Sequence, residues 1–221
     1  MITGQIVKQY HFLIPSVYRF MDQVYIEEFF RTGKLRLSSF SSYKKYEDQV
    51  RGDKNEGMNI AIATNKKNNM TMYAVVGVGS NAYSLCCSTI NSPELMNSFN
   101  SNGVFRIVDS QSFGMAIALK IPSFLEGMQG HCIYVNARTS KKEIESLSLA
   151  EMKINSEGNE LDMNKMAHKI REINPIDSFF MKPIHYQYQS EYRFIWSTQE
   201  KTNDYIEIEC KEAIQYCELV K

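Results

Sequence analysis

Residues 182–198 read KPIHYQYQSEYRFIWST, and their second half settles most of the architecture. Glu191 and Arg193 alternate with Tyr192, Phe194 and Trp196, the period of two that marks a strand with one polar and one apolar face. If the chain is already extended at Gln189, then Gln189, Glu191 and Arg193 share a face. Beyond polar QEKTN (199–203), DYIEIEC (204–210) alternates again, and the two runs are expected to form a C-terminal hairpin.

Working toward the N-terminus, the same signals recur. KLRLSSF (34–40) and YSLCCST (83–89) read as strands, and Asn59–Thr64 and Met70–Val78 flank the turn-forming NKKNN as a hairpin. Val104–Val108, GMAIALKI (114–121) and HCIYVNA (131–137) are strand-like as well. Helices are fewer. One starts at a capping Asp22, runs to Arg31 with Tyr25, Ile26, Phe29 and Phe30 as its apolar residues, and stops at Gly33. Another opens at Ser92 with Pro93 in its first turn and Gly103 after its end. Ser140 with Glu143 forms a capping box for a charged helix, and Asp162–Ile173 carries Met163, Met166, Ala167 and Ile170 on one face. Many strands, few helices and no regular strand–helix–strand alternation predict an α+β fold, mostly antiparallel sheet with a few flanking helices, in a single domain over 1–221.

Composition narrows the function classes. The chain has 221 residues, 25 Lys or Arg against 25 Asp or Glu, and 43% hydrophobic residues. A zero balance gives no bulk attraction for nucleic acid or an acidic membrane, and the hydrophobic fraction suffices for one core. No apolar run approaches the roughly 18 residues of a membrane span. The first residues, MITGQIVKQYHFLIP, interrupt any secretory apolar core with Lys8, Gln9, Tyr10 and His11, so the expected location is cytoplasmic. Five cysteines and four histidines are dispersed without C-x-x-C or H-E-x-x-H spacing, and no metal is expected. Gly77-Val-Gly79 lacks the third glycine of a dinucleotide loop, and Arg51-Gly52-Asp53 is a chance tripeptide.

Two segments carry the chemistry-bearing side chains. SSYKKYEDQVRGDKNEG (41–57) gathers Tyr46, Glu47, Asp48, Arg51, Asp53 and Glu56 just after a strand, where arginine forks and carboxylates commonly grip ligands. The second is the opening stretch, with Lys182, His185, Gln189, Glu191 and Arg193. A Gln-x-Glu pair at a strand entrance can stabilise a ribosyl oxocarbenium ion through the carboxylate and orient a nucleophile through the amide.

That pair resembles the one in ADP-ribosyltransferases of the R-S-E class, which place an Arg on an early strand, a Ser-Thr-Ser strand in the middle and Gln/Glu-x-Glu late. Arg19 in YRF, Ser88-Thr89 in CCST and Gln189-Ser190-Glu191 stand in that order, although Ile90 replaces the last Ser. The resemblance implies NAD as cofactor, Glu191 and Gln189 as catalytic residues, and Arg19, Ser88, Thr89 and Arg51 as cofactor contacts. Tyr46, Glu56, His185 and Arg193 would then meet the substrate, and the acceptor would be a protein, a nucleic acid base or water. The SSF…R…EG stretch is also similar to DNA-directed ADP-ribosyltransferase toxins. More of the chain is similar to a bacterial family catalogued as a domain of unknown function. The match runs through Ser38-Ser39-Phe40, Cys87-Ser88, Lys182 and Glu191-Tyr192-Arg193, while Ser42-Tyr43-Lys44-Lys45 replaces the family's Asn-Asp-Pro-Phe turn. By analogy the setting is a bacterial phage-defence or toxin system. Two alternatives stand beside the transferase: a non-enzymatic binding or regulatory module, and a nuclease using Asp48, Asp53 and Glu56 with a divalent ion.

Overall fold

A computed structural model describes residues 15–45, 50, 52–145, 148, 153, 162, 164–166, 168 and 175–220. β1 (Val17–Met21) leads into α1 (Gln23–Thr32) and then β2 (Lys34–Ser39). Asp22 starts α1 by backbone geometry alone, since its side chain caps nothing; Asn102 instead accepts from the Gln23 N–H at 2.7 Å. Gly33 ends the helix at φ 78°, and a Cβ there would sit 2.5 Å from the Cys210 carbonyl carbon. Only glycine fits that corner.

β3 (Met58–Asn65) and β4 (Met70–Gly77) form the expected hairpin, in register from Met58↔Gly77 to Asn65↔Met70. β5 (Ala82–Ser88) follows, then α2 (Pro93–Ser98), whose Ser92 cap accepts from the Leu95 N–H at 3.2 Å. Gly103 does not close that helix; it opens β6 (Gly103–Ile107), because its missing Cβ lets Ile26 and Gln23 approach.

Two other expectations are corrected, while HCIYVNA does hold a strand. GMAIALKI belongs not to a strand but to α3 (Ser110–Ala118) and the turn after it. Asp109 caps α3 by accepting from the Ser112 N–H at 3.0 Å, and Phe113, Ile117 and Ile121, four apart, are buried. β7 (Phe124–His131), largely exposed and holding two glycines, carries no alternation to read; only its last residue falls in HCIYVNA, whose centre is β8 (Ile133–Val135). Ser140 and Glu143 lie in β9 (Thr139–Glu143), parallel to β3, where Ser140 accepts from Asn59 at 2.7 Å across the pair rather than capping a helix. In the Asp162–Ile173 segment, Asp162 is not helical but accepts from the Asn164 N–H at 2.8 Å, and Asn164–Met166 and His168 are helical; the other residues lie outside the described ones.

β10 (Met181–Pro183) pairs in parallel with β8, and β11 (Glu191–Thr198), β12 (Tyr205–Glu209) and β13 (Cys217–Leu219) complete the chain. β11 and β12 do not form a hairpin. β11 is buried at every position with both edges occupied, by β5 and β7, so β12 takes the edge of β2 instead. The result is an eight-stranded, antiparallel sheet beside a three-stranded and a two-stranded one, an α+β fold as expected. α1 and α3 cover one face, burying Ile26, Phe29, Phe113 and Ile117 with Leu85, Phe105, Phe194 and Trp196.

One feature of the large sheet positions the site. β11 fills one edge of β5. The other edge is shared: β2 holds its start, at Ser38↔Ser84 and Ser39↔Tyr83, and β1 holds its end, at Tyr18↔Ser88. Between those contacts the sheet is split, and α1 spans the gap by linking β1 to β2.

Candidate functional site

The split opens a cavity of about 410 Å³. Its lips are β1 and β2, its back is Cys86 and Cys87 of β5, and its floor is Lys182, Gln189, Glu191 and Arg193. Strand alternation puts Glu191 and Arg193 there, because Tyr192, Phe194 and Trp196 on the other face join the core. Gln189 arrives by a different route from the expected extended strand. It ends a 3-10 turn over Ile184–Gln189, and Ser190 at φ 43° swings the chain into β11.

The floor is a buried chain of alternating charge. Lys182 donates to the Glu191 carboxylate and, at 2.7 Å, to Gln189 Oε1. Arg193 Nε donates to Glu191 Oε1 at 2.6 Å, and its other nitrogens hold Glu56 by two bonds, at 2.8 and 3.1 Å. Arg193 also reaches the Phe179 carbonyl at 2.6 Å. All five residues are at most 5% exposed. Burial alone pushes the Glu191 carboxyl up, but Arg193 and then Lys182 outweigh it and hold the group well below the carboxylate range. Burial works against the Lys182 ammonium too, and Glu191 overcomes it, so the lysine stays charged. Glu191 is therefore a permanent anion with both oxygens engaged, unfit to collect a proton. Cys86 is no nucleophile either, since burial pushes its thiol up to about 12.

The polar loop forms one wall. Gln189 Nε2 donates to the Val50 carbonyl at 2.9 Å, Tyr186 to the Gly52 carbonyl at 2.9 Å, and Arg138 holds Asp53 while donating to the Asn55 carbonyl at 3.0 Å. Val50 and Glu56 face the cavity. Asp53 and Glu56 each face an arginine, which engages two of the three carboxylates of the nuclease reading; the third, Asp48, lies outside the described residues. Among the described residues no group of three or more His, Cys, Asp or Glu side chains is placed to hold a metal.

On the β1 lip, Arg19 Nη1 donates to the Cys86 carbonyl at 2.6 Å, on the edge of β5 that the split leaves open. Its Nε is buried without a hydrogen-bond partner.

The structure thus brings Arg19, Glu56, Gln189, Glu191 and Arg193 to one cavity. Ser88 and Thr89 are not in its lining. Ser88 donates to the Gln189 carbonyl at 2.8 Å and Thr89 to that of Ser190 at 3.3 Å, so they brace the turn that delivers Gln189. His185 is exposed against Tyr186, outside the lining. Tyr46, Arg51 and Asp48 lie outside the described residues. Lys182, nine positions from Glu191, was singled out in the opening stretch without an assigned role. Two participants were not among the expected site residues. Tyr134, whose hydroxyl accepts from the Glu191 N–H at 2.7 Å, and Arg36 gave no local signal.

Compared with protein-family models, curated proteins and solved structures, the chain matches none. Among the described residues no helix is long and apolar enough to cross a membrane.

Proposed function

We propose that the cleft binds NAD and that the protein transfers or hydrolyses its ADP-ribosyl group. The carrying observation is that Arg19, Gln189 and Glu191, separated by some 170 positions of sequence, line one cavity in a split sheet. The resemblance to the R-S-E class supports the same reading, with Ser88 bracing the catalytic turn rather than touching ligand.

In this reading the Arg19 guanidinium, which lines the cavity and faces no carboxylate among the described residues, holds phosphate oxygens. The bond between ribose C1′ and the nicotinamide nitrogen breaks, its electron pair leaving with nicotinamide, and the Glu191 anion faces the oxocarbenium ion that develops. Water or an acceptor group then bonds to C1′ and loses its proton to solvent, because Glu191 is held too acidic to take it. A bacterial defence or toxin role and an acceptor of protein or nucleic acid belong to the same proposal.

The test is nicotinamide release from NAD, followed chromatographically, for the native chain and for Glu191→Gln with its fold verified by circular dichroism. Release by the native chain and its loss in the folded variant are expected; equal release by both sinks the role of Glu191.

A second reading, a non-enzymatic binding or regulatory module, is favoured by the saturation of Glu191 by Lys182 and Arg193, which compensates its charge. NAD or ADP-ribose would then raise the melting temperature without any nicotinamide being released.

A further inference from the structure

The geometry points to Arg36 as a second anion contact in the cleft, fitting it to a ligand with a diphosphate rather than a single phosphate. This rests on the reading above and adds a second cation to the contacts of its ligand. On β2 the buried Leu35 and Leu37 turn into the core, leaving Lys34, Arg36 and Ser38 on the cavity side. Lys34 is already engaged, with Glu207 at 3.4 Å and Glu28 at 3.8 Å. Arg36 is not: its guanidinium carbon lies 3.9 Å over the Tyr205 ring, and no carboxylate is within ion-pair distance among the described residues. Stacking orients the plane of the guanidinium while leaving its N–H donors free for a ligand.

Across the split, Arg19 likewise faces no carboxylate within ion-pair distance among the described residues, and its buried Nε has no hydrogen-bond partner among them. Of the described cations lining the cavity, Lys34, Lys182 and Arg193 are paired with carboxylates where they stand. The two that are not sit on opposite lips. One phosphate engages one lip, whereas the oxyanions of a diphosphate are spread over two phosphorus atoms and suit both.

The experiment is calorimetric titration of the full chain at low salt with ADP-ribose, ADP and AMP, for the native protein, Arg36→Gln and Arg36→Lys. The native chain is expected to bind ADP-ribose and ADP more tightly than AMP. Arg36→Gln should weaken the two diphosphates roughly tenfold, about 1.4 kcal/mol, and leave AMP unaltered. Arg36→Lys, which keeps the charge and loses the fork, should fall between. Since Arg36 is exposed, its variants should melt as the native chain does. Native-like affinity of Arg36→Gln for ADP, or an equal loss for AMP, overturns the inference and leaves the cleft reading in place. A native chain that binds none of the three ligands overturns both.

Discussion

Replacing Glu56 by Gln removes one charge from the floor while nearly preserving its shape. Glu56 is 3% exposed and Arg193 1%, and the two meet through paired hydrogen bonds of 2.8 and 3.1 Å. The floor chain of Lys182, Glu191, Arg193 and Glu56 is neutral as it stands. The substitution leaves it with one excess positive charge out of contact with water. Breaking a buried pair from one side costs about 3–5 kcal/mol. Glu191 still faces Arg193 and the new amide oxygen still accepts one bond, so the expected loss is at the low end, about 3 kcal/mol. Against a typical slope of about 1–3 kcal/mol per molar urea, the unfolding midpoint should fall by roughly 1–3 M with the slope unchanged. The exposed pair Lys66–Glu143 is the internal comparison. At 2.6 Å it is shorter still, but its side chains are 79% and 46% exposed, and Lys66→Ala should shift the midpoint little. A double-mutant cycle with Arg193→Met isolates the coupling. If Glu56→Gln costs no more than Lys66→Ala, the buried network is not what ties the polar loop to the sheet.

Other expectations follow from the same geometry. Gly33→Ala combines a left-handed backbone with a Cβ 2.5 Å from the Cys210 carbonyl carbon, so it should lower the melting temperature markedly; an unchanged melt contradicts the packing of that corner. Ser88→Ala removes the bond to the Gln189 carbonyl and should cost about 1 kcal/mol while altering ligand affinity little, because Ser88 lies outside the lining; a selective loss of binding with full stability would return Ser88 to the ligand. Glu191 is depressed in the folded chain and ordinary in the unfolded one, so its contribution is complete above the glutamate range and fades as the pH falls beneath it. Urea midpoints measured down through that range should fall for the native chain and less steeply for Glu191→Gln; parallel curves would contradict the assignment.

What could be read directly from the residues was local. Gly33, Ser92 and the alternation of β2, β5 and β11 each act within a few neighbours, and they appear where expected. β7 is different: with Gly127, Gly130 and exposed side chains it holds its strand only through its ladder with β11. The apolar run of α3 suits helix and strand equally until Asp109 is recognised as its cap. The hairpin expected at the C-terminus failed because the pattern of a strand does not say how many partners it has. In the site, the period of two brought Glu191 and Arg193 together, and the density of charge picked out Glu56. Arg36 read as the solvent face of a strand. That it borders a cleft depends on β1 and β2 parting along one edge of β5, which no single segment records.

The most direct test of the account is a crystal structure of the native chain soaked with ADP-ribose. The ligand is expected in the split between β1 and β2, its diphosphate between Arg19 and Arg36 and its terminal ribose beside Gln189 and Glu191. A saturating soak that leaves the split empty, or places the ligand elsewhere, would contradict it.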